Sequence, residues 1–407
     1  MTSATAPLGL GLAGCGGFGA FLLDAVAGLP GLRPVAVADP DPRRAGALAK
    51  RYAVPALAGL DELLAREEVD VVAVATPPAA HAAMATAALR AGRHVLCEKP
   101  LAATAAEAAT VALEAGRAGR TLVVDHVLRY NPLLRAVERL TAEGLLARPR
   151  RFLFENDASD EDLGPDHWFW DRAHSGGIFV EHGVHFFDAA RALLGSDPVS
   201  VRATAVRRPG TEIVDTVSAD VVHPDGALAS HLHSFTHAHR CERQLMRLDH
   251  GFAETRIEGW IPVRAEISAW TDEEGARAWG ELPGRAGTLL HVEGFRPHGG
   301  ERVRVTVERD AGSTAPARGR GQWRTVPHRV RAVLDLGGEA RKPYVYRESV
   351  RSAAADLLRV VRDGGTPVAD ALAGLTAVAV AETATRAADT GLAQHVPGPD
   401  AYLRGPA

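Results

Sequence analysis

Along the first 125 residues, short apolar runs rich in branched side chains, at 8–13, 34–38, 69–75, 94–97 and 121–124, alternate with longer stretches of helical character at 18–29, 60–67, 79–91 and 105–118. The short runs are apolar at successive positions rather than at every second one. Strands need that pattern when helices cover both faces of a parallel sheet. Gly92 and Gly119 stand where two of the helices should stop, because glycine enters the left-handed conformation that ends a helix without a Cβ penalty. The alternation predicts a doubly wound α/β unit over residues 1–125.

After Asp125 the texture changes. A helix is expected at 132–142, a strand at 150–155, an irregular polar stretch with Trp168 and Trp170 at 156–175, and a helix at 184–194. From 199 to about 307 the chain reads as a succession of strands, among them 199–206, 216–223, 227–236 and 254–259. Strands that follow helices without βαβ alternation predict an α+β domain with a large, mainly antiparallel open sheet, here residues 126–407. The Gly-, Pro- and Arg-rich segment 310–331 is expected to be a loop that does not extend the sheet. Two closing helices, at 346–362 and 370–388, are free to pack back on the first domain.

Composition adds exclusions. At 407 residues, 46% hydrophobic and 24% charged, the chain can bury two cores without metals or disulfides as staples. A formal net charge of -4 gives no electrostatic reason to expect nucleic acid or an anionic membrane as partner. Cys15, Cys97 and Cys241 are an odd, widely spaced set with no CxxC pair, which points to a reducing compartment and to no thiolate metal site. The N-terminus lacks the basic and apolar regions of a signal peptide, and no apolar run is long enough for a membrane span. A cytoplasmic protein acting on a small molecule is the expectation.

Gly14-Cys15-Gly16-Gly17-Phe18-Gly19 places G-x-G-x-x-G directly after an apolar strand and at the start of a helix. In a Rossmann unit, Gly14 would permit the tight turn, Gly16 and Gly17 the approach of a pyrophosphate, and Gly19 the close packing of helix and strand. Phe18 would sit at the helix N-terminus that faces the phosphate charge. Asp39 follows 20 residues beyond Gly19 at the end of the second strand, where a carboxylate accepts hydrogen bonds from adenosine ribose hydroxyls and repels a 2′-phosphate. NAD is the expected cofactor. Arg43 and Arg44 keep NADP open, since either could swing toward a phosphate or stand solvated in the first turn of a helix.

His94-Val95-Leu96-Cys97-Glu98-Lys99-Pro100-Leu101 ends a buried strand with a charged pair. A lysine at the carboxyl end of a parallel strand sits where ligands collect, and desolvation there suits it to acid–base chemistry. Pro100 invites a cis peptide. Further along come Ala75-Thr76-Pro77-Pro78 with His81, Arg129-Tyr130-Asn131-Pro132, and Ser175-Gly176-Gly177 leading into Glu181-His182-Gly183-Val184-His185 and Asp188. With these linked motifs, spanning about residues 8–195, the chain resembles the glucose–fructose oxidoreductase, inositol dehydrogenase and MocA family, Gfo/Idh/MocA. The resemblance implies that Lys99 contacts substrate and nicotinamide, with Glu98 as the acid beside it. It implies that Thr76, Pro77 and His81 pack near the middle of the cofactor and that His185 acts as catalytic acid or base. The family often has aspartate where Glu181 stands. If both are helical, Glu181 and His185 share a face, and the carboxylate would orient the imidazole, fix a substrate hydroxyl, or serve only as a cap or ion-pair partner.

The expected chemistry is oxidation or reduction at a CH–OH centre of a sugar, sugar derivative or cyclitol, with His185 as base and Lys99 holding the substrate oxygen, or the reverse. Arg129, Asn131, His182 and Trp168 are candidates to line the substrate side. Rival readings are a redox-neutral, NAD-dependent glycoside-cleaving enzyme and a non-catalytic NAD-binding sensor. His231, His233, His237 and His239 would share one face of an uninterrupted strand, but no metal is assigned to them. The family resemblance implies a homodimer or homotetramer.

Overall fold

The computed structural model describes residues 6–310 and 315–404. Residues 1–5, 311–314 and 405–407, which include the extreme N-terminus and part of the expected 310–331 loop, lie outside the described residues. The N-terminal sheet contains β1 (Leu8–Ala13), β2 (Leu32–Ala38), β3 (Ala56–Leu57), β4 (Val71–Val74), β5 (His94–Cys97) and β6 (Leu122–Val124). Every pairing is parallel, in the order β3-β2-β1-β4-β5-β6. This is the doubly wound Rossmann order, in which the succession of strands switches from one side of β1 to the other at β4 and opens a crevice at their carboxyl ends. β4 and β6 are buried at every position, as their unbroken apolar runs require. The helix Ala105–Ala118 begins with a capping box, Thr104 with Glu107, and ends at Gly119 with φ 59°, so its limits are written locally.

The second sheet has ten strands: β7 (Arg151–Ser159), β8 (Ser200–Arg207), β9 (Val214–Val222), β10 (Leu228–His237), β11 (Arg243–Asp249), β12 (Ala253–Glu258), β13 (Arg264–Thr271), β14 (Arg302–Arg309), then, past a small separate hairpin of β15 (Ala317–Gly319) and β16 (Gln322–Arg324), β17 (His328–Asp335) and β18 (Gln394–His395). Their order is β14-β17-β13-β12-β11-β7-β10-β9-β8-β18. All neighbours are antiparallel except β7 and β10. The helix Val184–Leu194 covers the inner face, where Phe186 stacks on Phe154 at 3.5 Å.

Three local expectations are corrected. The end of the supposed loop 310–331 belongs to β17, which lies between β13 and β14 inside the sheet. Its Val330, Ala332 and Leu334 are buried while Arg329 and Arg331 face out, so the alternation was present but obscured by the arginines. A helix, Glu273–Glu281, capped by Asp272, interrupts the run of strands. The stretch 156–175 is more ordered than expected: β7 continues to Ser159, and a 3₁₀ turn, Trp168–Trp170, leads to a short helix, Arg172–Ser175.

The closing helices, Lys342–Asp363 and Ala371–Thr390, return to the first sheet. Val124 N–H donates to the Ala369 carbonyl at 2.9 Å, and Ala105 N–H donates to Glu382 at 3.0 Å. Among the described residues, no helix is long and apolar enough to cross a membrane.

Candidate active site

The carboxyl ends of β1, β4, β5 and β6 carry, in turn, the glycine turn, Thr76, the pair Glu98 and Lys99, and the pair Asp125 and His126. At Gly14, φ is 98° and a Cβ would lie 2.4 Å from the Ala75 carbonyl oxygen; at Gly19 it would lie 2.0 Å from that of Gly14. Both glycines are therefore demanded by the protein itself. Gly16 and Gly17 are different, because a Cβ on either would meet nothing within 4 Å. Gly16 has φ -70°, which any residue adopts. The helix that follows, Gly17–Val26, has neither a side-chain cap nor an acid in its first turn. Open space over bare backbone at a helix N-terminus is the cradle a pyrophosphate needs, and these residues fit a dinucleotide.

At the adenosine end, Asp39 is 7% exposed. Its carboxylate accepts from the amides of Cys15 and Asp41, each at 2.8 Å. The groove beside it is lined by Cys15, Ala20, Asp41, Arg43, Arg44 and Leu48. Arg43 and Arg44 lean on Asp41, which caps their helix, and remain exposed. Burial and the Asp39 charge push the Cys15 thiol up to about 11, so it stays protonated at neutral pH.

His81 braces two loops of the cofactor-facing edge. Its Nδ1 and Nε2 lie 2.7 Å from the carbonyls of Pro100 and Thr76, within a side chain only 1% exposed. It ties the loop after β4 to the turn after β5, where the Lys99–Pro100 peptide is cis. Pro77 precedes the helix Pro78–Arg90, and the Thr76 side chain lies against the glycine turn.

The reaction end is assembled across the two sheets. Gly176, with φ 77°, turns the chain where a Cβ would strike Val180. The backbone then winds as a π-helical turn, Phe179–Gly183, before Val184–Leu194 continues as an α-helix. The wider turn carries Glu181 toward the first sheet. Lys99 Nζ donates to the Glu181 carboxylate at 2.8 Å and to its backbone carbonyl at 2.7 Å. Both side chains are mostly covered, at 15% and 18% exposure, so each charge depends on the other. Glu181 therefore meets Lys99 and does not orient His185, whose Nδ1 is buried without a partner.

His185 is held well below the ordinary histidine range by burial first and by the Lys99 charge second, so it is a neutral imidazole. Its ring lies edge-on to Trp260 at 5.2 Å and to His126 at 6.5 Å. Behind Lys99, burial first and the Asp125 carboxylate second push Glu98 well up, while burial raises Asp125 to about 6 against the opposing hydrogen bond with Glu98. Tyr346, whose hydroxyl is also pushed up by burial and these carboxyls, bridges Phe21 at 4.8 Å and Trp260 at 5.6 Å. The helix after the glycine turn thus connects to His185 through a chain of rings beginning at Phe18 and Phe21. Asp125, His126, Trp260 and Tyr346 were not singled out by sequence. Only the last two carry a signal, as large aromatics near predicted element ends.

Arg129 and Asn131 each have protein partners. Arg129 pairs with the fully buried Asp188 at 3.2 Å. Asn131 caps the helix Pro132–Ala142 with its oxygen and donates from Nδ2 to the Pro262 carbonyl at 2.8 Å. Trp168 stands 47% exposed on its turn, anchored by Phe169 beneath. The histidine row divides. His231 and His233 face inward, whereas His237 follows a register shift and His239 lies in the next turn among Glu161, Asp162 and Glu242. Among the described residues no group of three or more His, Cys, Asp or Glu is placed to hold a metal.

A Rossmann sheet with an uncovered glycine turn, joined to an open sheet that brings a buried imidazole toward a strand-end lysine, defines a dinucleotide-binding architecture. The chain belongs to the Gfo/Idh/MocA family. Residues 8–126 match the family described as "Oxidoreductase family, NAD-binding Rossmann fold", and residues 134–251 match the GFO/IDH/MocA C-terminal domain. It is similar to an inositol 2-dehydrogenase of Rhizobium meliloti, 33% identical over 48% of this chain and 57% of that one. The chain thus spans little more than half of that relative. It is also similar to dTDP-3,4-didehydro-2,6-dideoxy-alpha-D-glucose 3-reductase of Streptomyces violaceoruber, 28% identical over 78% of this chain and 85% of that one. The fold matches a levoglucosan dehydrogenase solved with NADH, with a TM-score of 0.74 at 20% identity over 96% of this chain and 100% of that one.

Proposed function

We propose that the chain is an NAD(H)-dependent oxidoreductase that moves a hydride between the nicotinamide and a secondary alcohol or ketone of a sugar, sugar derivative or cyclitol. In this reading residues 1–125 hold the cofactor and 126–407 the substrate, and the protein works in the cytoplasm as a homodimer or homotetramer. The observation that carries it is the meeting of Lys99 and Glu181 beside a neutral, buried His185 at the carboxyl edge of the Rossmann sheet. The relatives, an inositol dehydrogenase and a deoxysugar reductase, act on a cyclitol and on a sugar derivative, which supports the reading.

Bound NAD supplies the hydride acceptor. The glycine turn and the first amides of Gly17–Val26 would hold the pyrophosphate, and Asp39 would accept from the ribose hydroxyls while repelling a 2′-phosphate. The Lys99 ammonium, fixed by Glu181, donates to the substrate oxygen and stabilises the negative charge that grows there. His185, neutral at physiological pH, accepts the hydroxyl proton. The aromatic rings of Trp260 and Tyr346 beside it exclude water from the reacting oxygen.

The test is a panel of sugars, cyclitols and glycosides with NAD or NADP, followed by NADH absorbance and product analysis. Stoichiometric NADH with one sugar class is expected. Glycoside cleavage without NADH accumulation would replace this reading with the redox-neutral one, and NAD binding with no turnover of any compound would leave a sensor.

A further inference from the structure

The histidine next to Glu181 has a buried partner that the mechanism does not use. His182 Nδ1 lies 2.9 Å from His233 Nδ1, a separation that requires one proton between two nitrogens. Burial and the Lys99 charge hold His182 down to about 3, and burial holds His233 well below the ordinary range. Both rings are neutral, so each carries one proton and only two arrangements exist.

The surroundings choose between them. His233 is 0% exposed and its Nε2 has no partner. Around its ring stand Phe154 at 5.2 Å, Phe186 at 5.8 Å, Phe179 and Phe187 at 6.4 Å, and the imidazole of His231, stacked at 6.2 Å. An N–H among aromatic rings gains a weak attraction, whereas a bare nitrogen lone pair meets electron-rich faces and gains nothing. The His233 proton therefore belongs on Nε2. Its Nδ1 accepts, and the proton of His182 sits on Nδ1. His182 is half-buried, and its Nε2 is not among the sealed nitrogens.

The geometry points to His233 as a positioning residue that locks His182 in the tautomer presenting a bare Nε2, an acceptor for a second hydroxyl of the substrate. Lys99 only donates, so the acceptor complements it and selects polyhydroxylated substrates over simple alcohols. The assignment rests on the polyol reading of the cleft for its use, but not for its tautomer.

The first experiment is nitrogen NMR of the full chain with 15N-labelled histidine, with H182Q used to assign the signals. The expected result is His182 protonated on Nδ1 and bare on Nε2. H233N, which restores an acceptor, should preserve that state, and H233L should release it into the other tautomer or a mixture. A protonated Nε2 in the unmodified protein, or a tautomer indifferent to H233L, overturns the proposal. The second experiment is steady-state kinetics with myo-inositol and D-glucose as probes. H233L is expected to raise KM about tenfold, the loss of one hydrogen bond, with KM recovered in H233N. A loss confined to kcat, or one that H233N does not repair, overturns the role in hydroxyl binding. Failure of the unmodified protein to oxidise any sugar or cyclitol would instead strike the functional reading, while the NMR still decides the tautomer.

Discussion

The adenosine end and the reaction end of the dinucleotide groove satisfy their polar groups differently. At the adenosine end the chain completes itself: Asp39 takes two backbone amides, and Arg43 and Arg44 rest on Asp41. At the reaction end, both nitrogens of His126 and Nδ1 of His185 are buried with no partner among the described residues, and the buried carboxyls of Glu98 and Asp125 have little but one another. Folding by itself selects against such groups, so their concentration here marks the place where binding and chemistry, rather than stability, set the residues. The first end is a preformed recognition surface. The second is a strained electrostatic environment.

The widest gap between the ends should appear on removing Lys99. Lys99→Ala is expected to lower kcat about 10³-fold, as loss of a group aimed at developing charge does, while NAD still binds at the adenosine end. Equal loss of NAD affinity, measured by fluorescence titration, would erase the distinction. His185→Gln is expected to cost about 10²-fold. Because burial and Lys99 lower the pKa of His185, the neutral base persists as pH falls, and kcat/KM for oxidation should stay level through pH 6.5. A decline centred near 6.5 would place the base elsewhere.

Smaller effects sharpen the contrast. Asp39→Ala should shift the ratio of kcat/KM for NAD over NADP about tenfold toward NADP without altering the pH profile. Glu181→Gln should lower kcat by a similar factor through the loosened Lys99, and should leave the His185 limb of the profile in place. The smallest change is in stability. Asp125 is raised to about 6, against roughly 3.9 unfolded, so the folded state binds the extra proton. The favourable contribution is full below the unfolded value and is lost as pH rises through 6. Asp125→Asn is therefore expected to stabilise the protein by about 3 kcal/mol at pH 8 and by nothing at pH 3, read from denaturant unfolding.

Much of this was legible along the chain because its causes are local. The unbroken apolar runs of β1, β4, β5 and β6 state that both faces are covered, and Gly14 and Gly19 state where backbone must pass close to backbone. Asp39 and Lys99 are legible because a parallel strand ends at the ligand-binding edge. Other features depend on residues far apart in sequence. The spacing of Glu181 and His185 suggested one helical face, but the π turn broke that register and sent the carboxylate to Lys99, 82 residues away. The row of odd-numbered histidines was visible, but its division into an inward pair, a half-buried His237 and an exposed His239 follows from the register shift beyond Phe235. Likewise, the first residues of β17, 328–331, looked like the end of a basic loop until pairing with β13 and β14 gave the arginines an outer face. By itself the sequence determined the parallel sheet, the glycine turn, the acid after β2 and the strand-end lysine, all set by backbone geometry within a few residues. Tertiary structure alone decided which partner each buried polar group received, because that depends on which distant segments the closed chain brings within hydrogen-bond distance.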